Sequence, residues 1–130
     1  MLFIGICGAS GSGKSTLSEE LVRAIGKSST VINQDAYYFD YPQLSFEERA
    51  ALNFDEPGIF DHDLLLQDIN ALMAGQSVRK KAYDFTRHVR AHSEEMMEPA
   101  DVLIMEGIHA FYDERLCERM FLKLFINVEP

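Results

Sequence analysis

The sequence predicts an α/β fold, a four-stranded and mainly parallel sheet covered by helices on both faces, with a small insertion around residues 77–90. Three observations predict it. Four short apolar runs, at residues 2–7, 30–33, 101–107 and 121–128, alternate with stretches of helical periodicity. The first run enters its helix through a glycine-rich turn. Acids stand at the carboxyl ends of the second and third runs, Asp35 and Glu106, where open parallel sheets present functional groups.

The turn "GASGSGKS" matches G-x-x-x-x-G-K-[ST] at Gly8, Gly13, Lys14 and Ser15. Gly8, Gly11 and Gly13 let backbone amides turn inward around a phosphate. The helix that begins near Lys14 adds unpaired N–H groups and the positive end of its dipole. Lys14 is placed to reach the β- and γ-phosphates, and Ser15 to offer its hydroxyl to Mg²⁺. A glycine-rich turn with a stray lysine is the bland alternative, and the strand–turn–helix context weighs against it.

The remaining elements follow in order. Leu17, Leu21 and Ile25 form the apolar face of the first helix, and Gly26 caps its end. The second strand runs into "QDAYY", residues 34–38. Ser45 and Glu48 form a capping box before a short helix through Leu52. Pro57 and Gly58 mark a turn, and Asp61 caps a helix with Leu65, Ile69, Leu72 and Met73 on its apolar face and Gly75 at its end. Residues 77–90 alternate as short extended pieces, a hairpin projecting from the sheet. A further helical run is expected from His88 to Met97, stopping before Pro99. Asp101 opens the third strand, and a helical stretch from Asp113 to Met120 leads into the fourth.

Size and composition bound the reading. The 130 residues make one domain with ordinary hydrophobic content, 47%. Residues 2–7 are too short for a membrane helix and lack a basic leader, so neither signal peptide nor span is expected. Cys7 and Cys117 show no metal or disulfide spacing and read as buried thiols in a reducing, cytoplasmic setting. The formal charge of −9 argues against nonspecific binding to nucleic acid or to anionic membranes.

A phosphate cradle with two acids at strand ends describes a phosphotransferase more readily than a switch. Asp35 would accept the proton of an attacking hydroxyl or orient it, and Glu106 would hold Mg²⁺ directly or through water. The plain alternatives are a turn-forming aspartate and a neighbour of a helix cap. Tyr38, Tyr83 and Phe85 suggest a planar ring in the acceptor, although aromatics of a small domain are more often core. Asp55, after Phe54, could accept hydrogen bonds from two sugar hydroxyls or lie in solvent. His88 and His92 could share a helix face, but no third ligand follows, so no zinc site is expected.

The segments "GASGSGKST", "QDAYY", "NFDEPGIFD", "LLLQDINAL", "YDFTRHVR" and "EGIHAF" resemble, in order and spacing, the uridine kinases, which transfer phosphate from ATP to the 5′-hydroxyl of pyrimidine nucleosides. The resemblance implies a P-loop kinase core over residues 1–130, with the insertion around residues 77–90 binding substrate. Gly8, Ala9, Ser10, Gly11, Ser12, Gly13, Lys14, Ser15 and Thr16 would bind the phosphates of ATP or GTP, and Asp35 would be the general base. Asp55 would hold the ribose, Tyr38, Tyr83, Phe85 and His88 would surround the pyrimidine, and Arg90 matches a basic position of the same substrate-binding motif. Glu106 and Ser15 would serve Mg²⁺, and the family's frequent tetramers suggest self-association.

Three positions depart from the family pattern: Lys81 stands where proline is usual, Glu56 replaces a histidine, and His109 a leucine. Family members also continue into an arginine-rich lid and another strand. The sequence ends at Pro130, before that segment, which leaves an acidic balance, an expected edge at the fourth strand and a core whose unaided turnover is in question.

Overall fold

Alternation along β1 (Leu2–Gly8) sets the two faces of the sheet. Phe3 and Cys7 point to one core, and Ile4 and Ile6 to the other. The computed structural model describes residues 1–8, 13–54 and 56–126, with the Ser15 side chain outside the description. The expected cradle residues Ala9, Ser10, Gly11 and Ser12, and the expected ribose ligand Asp55, lie outside the described residues.

After β1 come α1 (Lys14–Ile25) and β2 (Ser29–Asn33). A 3-10 turn, Gln34–Tyr37, leads through a loop to α2 (Phe46–Ala50), where Ser45 and Glu48 form the expected reciprocal cap. A second 3-10 turn, Pro57–Ile59, precedes α3 (His62–Met73), capped by the Asp61 side chain on the Leu64 amide at 3.1 Å. The insertion holds β3 (Val78–Arg79), β4 (Ala82–Asp84), β5 (Val89–Ala91) and β6 (Met96–Met97). The chain then returns through β7 (Val102–Gly107), α4 (Glu114–Cys117) and β8 (Leu122–Ile126).

The four long strands are all parallel, in the order β2-β7-β1-β8. On one face Leu17, Leu21, Val22 and Ile25 of α1 pack on Ile4, Ile6, Val102 and Ile104. On the other, Leu65, Ile69 and Leu72 of α3 and Leu116 of α4 cover Phe3, Ile32, Leu103 and Met105. Burying these side chains supplies the main driving force, roughly 1.5–3 kcal/mol for each large aliphatic or aromatic residue. Helices therefore lie on both faces, as the alternating pattern requires.

Several expectations need correction. Residues 88–97 contain no helix: Val89–Ala91 pairs antiparallel with β4 and Met96–Met97 with β3. β-Branched and apolar residues here pair across strands instead. His88 and His92 accordingly do not share a helix face. Met73 is 37% exposed and lies outside the α3 core face. The Cys117 thiol is only half-buried and donates to the Phe111 carbonyl at 3.3 Å. Asp101 stands just before β7, fastened to Ser28 by two hydrogen bonds.

Candidate active site

The sheet brings the carboxyl ends of β1, β2 and β7 together. Asn33 and Glu106 are register partners, so Asp35 is the second residue of the turn directly beyond the strand that neighbours Glu106. Gly8 closes β1, and Gly13 caps α1 in the left-handed region with φ +92°. Among the described residues nothing stands within 4 Å of an added Cβ there, and the left-handed backbone itself favours glycine. Lys14 and Thr16 open α1 at this junction, with Thr16 exposed.

Glu106 is 5% exposed, on the face that α1 covers. Ser18, four residues after Lys14 on α1, donates its hydroxyl to Glu106 Oε2 at 2.5 Å. The Lys14 carbonyl lies 3.0 Å from the same hydroxyl and competes for its single proton. The charged carboxylate is the stronger acceptor. Asp35 is partly buried, and that burial pushes its carboxyl above the ordinary range. The Lys14 ammonium opposes this shift and the Glu106 charge adds to it. These three groups thus share one electrostatic neighbourhood.

The turn bearing Asp35 is fixed from several sides. Asn33 accepts the Asp35 amide at 3.0 Å. Gln34, fully buried, donates to the His109 carbonyl and accepts from the His109 amide, both at 3.0 Å. Gly107 makes room for it, because a Cβ there would lie 2.3 Å from Gln34 Oε1. Sequence reasoning missed Ser18 and Gln34; their position beside Lys14 and Asp35 was the available signal.

Beyond the turn lies an aromatic nest. Tyr38 is 6% exposed, stacked on Phe60 with centroids 4.6 Å apart, and touches Phe54, Tyr83 and Phe85 at 5.2, 5.0 and 5.9 Å. It forms the floor of the nest, while Phe85 is 56% exposed at the rim. His88 occupies the left-handed region at φ 55° and stacks on Phe54 at 5.1 Å. Arg90 donates to the Tyr38 carbonyl at 3.0 Å and to Asp61 at 2.9 Å, so its guanidinium braces the hairpin against α3. The structure therefore brings Tyr38, Tyr83, Phe85 and His88 together, and gives Arg90 protein partners.

A groove of about 620 Å³ runs beside α1 and β2. Its lining includes Glu106 and Val31 but neither Lys14 nor Asp35, so it is not where the three charged groups meet. Among the described residues no cluster of three or more His, Cys, Asp or Glu could hold a metal. The acids at hand are hard oxygen donors, which fits Mg²⁺ held by one or two carboxylates and completed by phosphate oxygens.

Residues 3–129 match the sequence pattern of the phosphoribulokinase/uridine kinase family. The chain belongs to this family. Among its members, the uridine kinase of Halalkalibacterium halodurans is 44% identical over 129 residues, covering 98% of this chain and 61% of that protein. The uridine kinase of Halobacterium salinarum is 41% identical over 126 residues, covering 97% and 56%. The chain thus spans about 60% of the length of the relatives it matches.

Solved structures agree on the fold. A protein provisionally assigned as a fructose transport system kinase from Silicibacter sp. TM1040 superposes with a TM-score of 0.80 at 26% identity, over 98% of this chain and 66% of that one. A possible uridine kinase from Bacillus stearothermophilus gives 0.72 at 20%, over 98% and 71%. The α/β fold of P-loop kinases follows. Among the described residues, no helix is long and apolar enough to cross a membrane.

Proposed function

We propose that the chain supplies the nucleotide- and acceptor-binding core of a nucleoside kinase that transfers the γ-phosphate of ATP, or GTP, to the 5′-hydroxyl of uridine or cytidine. One observation carries the reading: the Asp35 carboxyl lies within electrostatic reach of both the Lys14 ammonium and the Glu106 carboxylate, on the turn that leads into a nest of rings. That neighbourhood at the carboxyl end of the sheet supports the roles of base for Asp35, phosphate-binding cation for Lys14 and ring seat for the aromatic nest.

The residues divide the work. The loop from Gly8 to Thr16 would hold the phosphates, with the start of α1 and Lys14 stabilising charge on the transferring group. Asp35, with its raised proton affinity, would take the proton of the 5′-hydroxyl as that oxygen attacks in line. Tyr83, Phe85 and His88 would contact the base above the Tyr38 floor, with Asp55 on the ribose hydroxyls. Glu106 and Ser15 would hold Mg²⁺, which when bound neutralises phosphate charge. Arg90 would act through the hairpin, since its guanidinium is committed to Asp61 and the Tyr38 carbonyl.

A second acceptor class is favoured by one finding, the 0.80 superposition on the provisionally assigned fructose transport system kinase from Silicibacter sp. TM1040. A coupled ADP assay with ATP and Mg²⁺ separates the two. Uridine, cytidine, adenosine, fructose, ribulose phosphate and pantothenate are offered in turn. Pyrimidine nucleosides are expected to give the highest rates, and a preference for a sugar or sugar phosphate would reverse the reading. Calorimetry with ATP and Mg²⁺ tests the phosphate cradle separately. The family's tendency to assemble and a cytoplasmic setting are part of the same proposal, and sedimentation of the purified protein tests the former.

A further inference from the structure

Asp68 is an acid for which the chemistry above has no use. It stands on α3 at 5% exposure, and a buried carboxylate is costly unless donors compensate it. Two do, both on Oδ2: the Tyr37 hydroxyl at 2.7 Å and the Lys81 ammonium at 2.9 Å. Lys81 also donates to the Arg79 carbonyl at 2.8 Å, which fixes its ammonium from a second direction. Burial and the Asp68 charge push the Tyr37 phenol far above its ordinary range, so it remains a donor.

The two donors come from different working parts. Tyr37 ends the turn that carries Asp35. Lys81 immediately precedes β4, the hairpin strand that carries Tyr83. Asp61 repeats the arrangement seven residues earlier, two helical turns away along α3. Its carboxylate holds Arg90 of the hairpin, and its amide donates to the Tyr37 carbonyl at 2.7 Å. Turn and hairpin are therefore fastened to α3 at the same two points.

We infer that Lys81, Asp68 and Tyr37 are positioning residues for acceptor binding: the Asp68 carboxylate joins the hairpin that seats the acceptor to the turn that carries Asp35. Placement of the base and placement of the acceptor then both depend on one shared carboxylate. A contact of this kind couples two sites because removing either donor leaves the same buried carboxylate under-compensated. The inference rests on the kinase reading for the identity of the acceptor, but the mechanical link does not.

The test uses Tyr37→Phe, which deletes one hydroxyl, Lys81→Met, which keeps the stem without the charge, and Lys81→Arg as the conservative rescue. Uridine affinity, ATP affinity and amide hydrogen exchange at residues 34–38 are measured for each. Tyr37→Phe and Lys81→Met are each expected to weaken uridine binding about fivefold or more and to speed exchange at residues 34–38. ATP affinity should stay within about twofold, Lys81→Arg should recover most of the loss, and the double variant should deviate from the product of the singles. Uridine affinity and exchange both within about twofold of the unmodified protein would overturn the inference, as would parallel losses of ATP and uridine that simply track global stability. If the unmodified protein binds no nucleoside, the proposed function fails on its own, and the exchange comparison alone then decides the link.

Discussion

Ser18 donates its hydroxyl to the Glu106 carboxylate at 2.5 Å, tying the phosphate-loop helix to the end of β7. The pair is buried, and it places the expected Mg²⁺ acid at a fixed distance from the helix that begins with Lys14. Ser18→Ala would leave that carboxylate short of one donor. A loss of about 1–3 kcal/mol in urea unfolding is expected, with weaker retention of Mg²⁺–ATP by calorimetry. Unchanged values in both measurements would show that the contact is dispensable.

Asp35 gives a pH-dependent signature. Burial, with Glu106 adding and Lys14 opposing, raises its proton affinity in the folded state. The folded protein then holds that proton more tightly than the unfolded chain does, so ionised Asp35 lowers stability at neutral pH. That penalty fades as pH falls and the folded carboxyl protonates. Asp35→Asn is therefore expected to melt higher than the unmodified protein near neutrality, with the gap narrowing in acid. Phosphoryl transfer should drop by about 10²–10⁴-fold in the same variant. A lower melting temperature at neutral pH would contradict the assignment of a strained functional acid.

Gly107 tests the support of the turn. A Cβ at this position would stand 2.4 Å from Gln34 Cβ and 2.3 Å from its Oε1, and Gln34 is locked to His109 on both sides. Gly107→Ala should cost about 1–3 kcal/mol by overpacking, read from denaturant midpoints. It should also reduce activity more than it reduces ATP affinity, since Asp35 follows Gln34 directly. A neutral substitution would mean that the turn relaxes freely.

Asp61 combines two duties, capping α3 and pairing with Arg90. Asp61→Ala should therefore destabilise by more than an ordinary cap loss of about 1 kcal/mol. Arg90→Met in the same background should add less than it does alone, because the shared pair is already broken. Strict additivity of the two would separate cap and brace.

Most of the frame was legible in the sequence, because parallel strands buried on both faces write themselves as short apolar runs. The capping residues Ser45 and Asp61 were equally legible, since a cap needs one side chain at one place. A hairpin within residues 77–90 was anticipated, but residues 88–97, which supply its second strand and β6, were expected to be helical. Strands of two or three residues carry too little alternation to be told from a helical run. Within the site, Lys14 could be picked from the glycine-rich turn, and Asp35 and Glu106 from strand ends. The supporting contacts could not: Gln34 reaches His109 across 75 residues and Ser18 reaches Glu106 across 88, distances at which spacing is silent. Lys81, conspicuous as a departure from the family's proline, acquires a partner only in three dimensions, at Asp68.

The proposed transfer to a primary nucleoside hydroxyl is tested most directly by phosphorus NMR of the product formed from uridine, ATP and Mg²⁺. The account predicts one new phosphomonoester signal split into a triplet by the two 5′ protons of uridine 5′-monophosphate. A doublet from a 2′- or 3′-phosphate, or no uridine-dependent phosphomonoester beside a phosphorylated sugar, would contradict it.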